Sequence, residues 1–170
     1  LGMYAYKSEK GTFEWARNVQ PDYVWFNGRA DQYVQGDKIE DTTKTLQMIT
    51  LEGSYDDPNS KIIPVKIHQG KQPYDTKQSM LLAPYIYGHD SMAFQEVMDW
   101  DLAAEKGMKD AGLTYSGSYD FISTEAPWPL NHMIAPSEDA LACIDCHSKD
   151  GRLENLAGFY MPGRDRSVLM

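Results

Sequence analysis

Two cysteines near the end of the chain, followed at once by a histidine, constrain the fold more than any other feature of the sequence. Cys143 and Cys146 are three residues apart and His147 comes next, which is the C-x-x-C-H spacing of c-type haem attachment. Residues three apart share one face of a helix, so both thiols can form thioether bonds to one porphyrin. The adjacent imidazole can then bind the iron. The pattern therefore predicts covalent haem c held by Cys143, Cys146 and His147.

Other uses of a cysteine pair match the surrounding sequence less well. A thioredoxin-type pair expects a strand before the motif and a helix that opens at the first cysteine, whereas Ser137 is expected to begin a helix that has already formed at Cys143. A structural zinc site needs four ligands, and His68, His89 and His132 do not form a second ligand pair in the sequence. One alternative stays open, a non-haem interaction module that uses the cysteine pair for zinc or for thiol redox chemistry.

The second axial position of the iron also has candidates. His132 lies eleven residues before Cys143 and is the first choice for a ligand, either to this haem or to a neighbouring one. The structural alternative for His132 is a hydrogen-bonded loop histidine. Met133 and Met161 are further candidates, because a methionine ligand raises the reduction potential.

The composition is that of a folded domain with an acidic surface. The chain has 170 residues, of which 42% are hydrophobic and 24% are charged, so it can bury a core. Its 25 acidic residues outweigh 16 basic ones, which argues against general nucleic-acid binding. The longest apolar stretch, 81–87, is too short for a transmembrane segment. The first residues do not form a signal peptide, so we expect either a signal already removed or a piece of a longer protein.

The pattern along the chain predicts an irregular α+β fold in a single domain over 1–170. Residues 1–90 are expected to be rich in strands and loops. Residues 91–170 are expected to be helical and to carry the covalent haem. Because no linker separates these halves, we do not expect independent domains.

Two strand signals stand out in the first half. A β-prone segment at 23–26 precedes the turn dipeptide at 27–28, so 32–35 is expected to return as the second strand of a hairpin. The alternation of apolar residues at 63–67 predicts a half-buried strand.

Proline and glycine set the expected limits of the second of these strands. Pro64 is expected to place it at a sheet edge. The glycine and proline at 70–73 predict a turn, after which 80–87 is expected to pair back.

Helical spacing of apolar residues predicts two helices in the middle of the chain, the first capped by Ser91 and the second ending at Gly112. Met98 and Met108 are interpreted as core residues of these helices. A third helix is expected to begin near Ser137 and to carry both cysteines.

Segments in both halves of the chain are similar to the C-terminal portion of the octahaem c-type cytochromes of the tetrathionate reductase family. They come in the expected order and span nearly the whole chain. In the second half they are 128–136, 141–153 and 158–165, and in the first half they are 24–28, 36–39, 53–58 and 70–75.

The resemblance implies a periplasmic multihaem oxidoreductase that passes electrons between closely packed haems, in a family associated with reduction of tetrathionate, nitrite and hydroxylamine. It implies that Cys143, Cys146 and His147 hold the last haem of the series and that His132 is an axial ligand. This chain differs from the family in one large respect, because family members have eight haem motifs and this chain has one. The family's catalytic haem, with its lysine ligand, belongs to the part that this chain lacks.

The resemblance thus implies a non-catalytic electron-transfer portion of a larger reductase. Its expected partners are the missing N-terminal multihaem portion, other haem domains, and redox partner cytochromes or quinol-linked donors.

Overall fold

A long antiparallel pair of strands forms the centre of the fold. The computed structural model describes residues 6–7, 11–12, 19–131, 135–161 and 164–165. In chain order the strands are β1 (Tyr6–Lys7), β2 (Gly11–Thr12), β3 (Asp22–Phe26), β4 (Ala30–Gln32), β5 (Leu46–Gln47), β6 (Ile49–Leu51), β7 (Lys61–Asp75), β8 (Met80–Leu81) and β9 (Tyr119–Pro129). The helices are α1 (Phe94–Val97), α2 (Trp100–Asp110) and α3 (Cys143–Cys146), with a 3-10 turn at Ser137–Asp139.

Strands β7 and β9 pair along their length, from Val65 opposite Pro129 to Asp75 opposite Tyr119. The sheet has the order β3-β7-β9-β5, and β8 pairs with the far end of β7. Strand β3 is antiparallel to β7, whereas β5 is parallel to β9. Two smaller antiparallel pairs, β1 with β2 and β4 with β6, complete the strands.

The buried apolar side chains form three clusters among the described residues. The first lies against the central sheet, the second lies between the loop after β8 and helix α2, and the third lies in the tail beside the cysteines. Their buried members are respectively Ile39, Leu81 and Ile122; Leu82, Ala104 and Met108; and Leu153, Leu156 and Met161.

Helix α2 is fixed by its cap and by a close contact. The Asp99 carboxylate accepts a hydrogen bond from the Leu102 amide at 3.1 Å, which satisfies one free N–H of the first turn. Gly107 lies so close to the preceding loop that an added Cβ would be 1.8 Å from the Ala83 carbonyl oxygen. The Tyr85 amide donates to the Ala103 carbonyl at 2.8 Å, so the loop is bonded to the helix as well as packed on it.

The strand pairing of the first half differs from the predicted hairpin. Strand β3 is present as expected, but it pairs with β7, and β4 pairs with β6. The residues predicted as a turn at 70–73 lie inside β7, opposite Thr124 to Phe121. The prediction was wrong because this ladder with β9 satisfies the backbone of 70–73, and local glycine and proline signals do not report such distant partners. The predicted return of 80–87 is confirmed only at β8.

Pro64 lies within the sheet rather than at its edge. It is opposite Tyr23 of β3, and its carbonyl accepts a hydrogen bond from the Leu130 amide at 2.9 Å. The N–H and carbonyl of one strand residue point to the same side. The N–H that Pro64 lacks would therefore point towards Leu130, just beyond the end of β9, and not towards β3. The pairing of Pro64 with Tyr23 of β3 thus loses no hydrogen bond.

The second half is mixed rather than helical. Strand β9 occupies 119–129, including the prolines that were expected to interrupt regular structure. Helices α1 and α2 match the two predicted helices, but the N-cap of α1 is Ala93 instead of Ser91. Met108 is buried as expected, whereas Met98 is 66% exposed and ends α1 in the left-handed conformation.

Among the residues that the structure describes, no helix has both the length and the hydropathy needed to cross a bilayer.

Candidate cofactor-attachment site

The two cysteines are the first and last residues of α3. The helix has one hydrogen-bonded turn, in which the His147 amide donates to the Cys143 carbonyl at 2.8 Å. The Asp145 carboxylate accepts from the Ala142 amide at 2.7 Å, across the start of the helix. This reach from the third helical position back to the N-cap stabilises a helix too short to persist alone.

Both thiols are free, and they lie three residues apart on α3. Cys143 is exposed and Cys146 is half-buried. His147 follows them directly and is exposed. Ile144, between the cysteines, is 67% exposed, so an apolar side chain faces solvent at the motif.

The segment after the motif turns back onto α3 through a glycine. Gly151 is buried, and a Cβ at this position would be 2.7 Å from the Cys146 carbonyl oxygen. The next amide, of Arg152, donates to the Asp145 carbonyl at 2.7 Å. The close approach requires glycine, and the bond from Arg152 fixes the returning chain against the cysteine-bearing turn.

Cys146 packs against the third buried cluster, with Leu153, Leu156 and Met161. Trp25 of β3 contacts the same cluster, and its indole N–H donates to the Ala157 carbonyl at 3.0 Å. This contact joins the first strand of the central sheet to the tail. It thereby positions the cysteine-bearing turn relative to the sheet.

Three aromatic rings meet beside this cluster, and we call Trp25, Tyr55 and Phe159 the aromatic patch. Tyr55 stacks on Phe159 with ring centroids 5.6 Å apart and planes 14° apart. Trp25 meets Tyr55 at 5.8 Å and Phe159 at 5.7 Å, both edge-on. These separations lie in the favourable range for aromatic pairs, so the patch is an ordered surface.

Arg164 holds the tail around Phe159. Its guanidinium donates to the carbonyls of Leu153, Leu156 and Phe159, and it lies over the Phe159 ring with 5.2 Å to the centroid. It also forms an ion pair with Asp165 at 2.8 Å, and hydrogen bonding from Arg164 lowers the pKa of Asp165 to about 2.

The other candidate ligands that the structure describes lie on separate segments. His132 and Met133 lie outside the described residues. Met161 is fully buried in the third cluster, so packing accounts for it. His89 lies in an exposed loop, and His68 lies on β7, exposed.

His68 is next to an exposed indole. Its ring centroid is 5.9 Å from that of Trp128, with the planes tilted by 40°. The strand register explains this contact. Trp128 is opposite Lys66 and His68 is opposite Ala126, so the two rings are diagonal neighbours on one face of the β7–β9 pair.

The structure changes one argument about the cysteine pair. Helix α3 opens at Cys143, and the predicted helix from Ser137 is only a 3-10 turn. The start of the helix therefore does not distinguish this motif from a thioredoxin-type pair. Within the described ranges, no group of three or more His, Cys, Asp or Glu side chains is arranged to hold a metal ion.

The residues present fit a covalently attached porphyrin. Thioether formation needs two reduced thiols on one helical face, and axial ligation needs a free imidazole beside them. Cys143 and Cys146 meet the first condition, and His147 meets the second. The exposed Ile144 and Leu141 give the surroundings the apolar character that a macrocycle requires.

The comparisons with known proteins agree with this chemistry. A family model described as "Cytochrome c bacterial" matches residues 1–150. The crystal structure of octaheme cytochrome c from Shewanella oneidensis matches with a TM-score of 0.80 and 40% sequence identity, covering 91% of this chain. The chain spans 36% of the length of that octahaem protein. No curated protein matched the sequence.

Proposed function

Because the chain belongs to the bacterial cytochrome c family, we propose that it transfers electrons through one haem c held by the segment around α3. The cofactor of the chain is covalently bound haem c with its iron, which supplies a one-electron couple when bound. The observation that carries the proposal is the pair of free thiols three apart on α3, with an imidazole at the next position.

Each residue of the motif has a separate role in this proposal. Cys143 and Cys146 form the thioether bonds, and His147 is the proximal axial ligand. His132 is the second axial ligand, to this haem or to a neighbouring one. If His132 binds this iron, imidazoles would fill both axial positions and leave none for a substrate. The segment then serves transfer rather than catalysis.

We further propose that the chain is the C-terminal portion of a periplasmic multihaem reductase of the tetrathionate, nitrite or hydroxylamine type. The sequence resemblance and the 40% identity with an octahaem protein support this assignment. Its partners would be the remaining haem domains, together with redox partner cytochromes or quinol-linked donors.

Haem staining after denaturing electrophoresis tests the attachment directly, because only covalent haem survives it. Protein made with the c-type attachment machinery should stain and show a Soret band. A variant combining Cys143→Ala with Cys146→Ala should do neither, whereas His89→Ala, in an exposed loop, should stain like the unmodified chain. Bound zinc without a Soret band would instead support the non-haem alternative.

The axial role of His132 has its own spectroscopic test. In His132→Ala, loss of an imidazole should convert a low-spin spectrum to a high-spin one and open the iron to carbon monoxide. His68→Ala is the matched control and should keep the low-spin spectrum. An unchanged spectrum in His132→Ala would show that His132 does not ligate this haem.

A further inference from the structure

We propose that the aromatic patch is the docking surface for a basic electron-transfer protein. The inference rests on the proposed function, since it names the partner that exchanges electrons with the haem held at α3. It concerns Trp25, Tyr55 and Phe159. Trp25 and Phe159 pack on the cluster that contacts Cys146, and the exposed Tyr55 packs on both of these rings.

The patch combines order with exposure. Tyr55 is 55% exposed although it stacks on Phe159 and meets Trp25 edge-on. Tyr160, the residue after Phe159, is also exposed. Large aromatic side chains held rigid at the surface lose little conformational entropy on binding, and they are enriched at the energetic centres of protein interfaces.

The position of the patch suits electron transfer. Cys146 packs against the third buried cluster, and Trp25 and Phe159 pack against the same cluster. The same buried side chains therefore contact both the residue that would hold the cofactor and two rings of the aromatic patch. A partner bound at Tyr55 would contact Trp25 and Phe159, the two rings that share this buried cluster with the cofactor-bearing residue.

Charge identifies the kind of partner. The aromatic patch is formed where the loop 52–60 meets the tail 135–161. The loop has three acidic residues and no basic one, and the tail has five acidic and two basic residues. Each segment thus carries a net charge of −3, and together they supply −6 of the total −9. When two surfaces of opposite charge surround an apolar contact, association is faster and the partner is oriented. A basic redox protein therefore fits this acidic surface.

The test measures binding by the holoprotein to two probes, a strongly basic single-haem cytochrome c and an acidic flavodoxin. The basic probe should bind, and its affinity should fall as salt approaches physiological strength, where the Debye length is about 8 Å. The flavodoxin should bind at least about tenfold more weakly. Equal binding of both probes, or binding insensitive to salt, would overturn the proposal.

Two variants and a matched control locate the surface. Tyr55→Ala should weaken binding of the basic probe about tenfold, and Asp56→Asn should slow association about twofold while leaving the rings intact. Tyr87→Ala removes a tyrosine of similar exposure, 57%, from the loop packed on α2, and it should leave binding unchanged. Equal losses in Tyr55→Ala and Tyr87→Ala would contradict the assignment.

Two further measurements separate the possible failures. Haem staining of each variant reports the proposed function, so stained protein that does not bind the basic probe would refute only the docking surface. Hydroxyl-radical footprinting of a full-length multihaem protein should modify Tyr55 as readily as Tyr87. Protection of Tyr55 in the absence of a partner would assign the patch to the rest of its own chain and overturn the proposal.

Discussion

Asp75 stabilises the end of the long antiparallel pair formed by β7 and β9. It is completely buried and accepts hydrogen bonds from the Lys77 and Gln78 amides and from the Ser116 amide and hydroxyl, at 2.7–2.9 Å. Burial by itself raises the pKa of Asp75, but these hydrogen bonds outweigh it and leave the pKa below its ordinary value. One carboxylate therefore joins the turn after β7 to the loop before β9.

Replacing this carboxylate should destabilise the protein in a pH-dependent way. Asp75→Asn should lower the free energy of unfolding at neutral pH by about 3 kcal/mol, because buried amides lose a charged acceptor. The lowered pKa means that the carboxylate stabilises the fold above its unfolded pKa of about 3.9, and that this contribution is lost as the pH falls through the native pKa.

Urea unfolding across this pH range checks the prediction. The difference between the original chain and Asp75→Asn should shrink on acidification, since a protonated Asp75 resembles asparagine. Asp56→Asn, at an exposed position, should have little effect at either end of the range. A difference that stays constant with pH would show that the charge of Asp75 is not the cause.

At the scale of elements, the packing of α2 depends on one residue without a side chain. Gly107→Ala should destabilise the protein by about 3 kcal/mol, because the new methyl group would be 1.8 Å from the Ala83 carbonyl oxygen and the helix must move away. Chemical denaturation gives the value. Gly70→Ala is the control, since its Cβ would meet Thr124 Oγ1 at an ordinary 3.6 Å, and it should change stability by less than about 1 kcal/mol. Similar losses in both variants would exclude the close contact as the cause.

Elements defined by local spacing could be predicted from the sequence, and elements defined by distant pairing could not. The repeat of apolar residues identifies α2 because each helical hydrogen bond joins near neighbours. Strand β9 contains Pro127 and Pro129, which argue locally against a strand, yet it pairs with β7 at both positions. Its stability comes from partners on β7 that lie more than forty residues away in the chain.

The candidate site divides in the same way. The spacing of Cys143, Cys146 and His147 is a local signal, so the attachment residues could be named from the sequence. The bond from Trp25 to the Ala157 carbonyl joins residues 132 positions apart, and no periodicity reports it. Gly151 could have been suspected as a turn, but its contact with Cys146 depends on how the tail folds back.

The whole molecule should be less stable without its cofactor. Holoprotein should unfold at least about 5 °C above a Cys143→Ser, Cys146→Ser double variant, because a group attached to the native state stabilises it and covers apolar surface near Ile144. Scanning calorimetry measures the shift. The control is the unmodified chain made without attachment machinery, which should unfold near the temperature of the double variant. If holoprotein and control unfold together, the cofactor does not stabilise the fold.

The position of the motif relative to the strands bears on how the protein is made. Every strand of the central sheet ends by Pro129, before Cys143 is reached. The sheet has its pairing partners as soon as β9 is present, whereas α3 is a single turn that docks through Trp25 and the third cluster. We expect the strands to pair before this turn docks, so that Cys143 and Cys146 would stay accessible to the ligation enzymes until docking occurs.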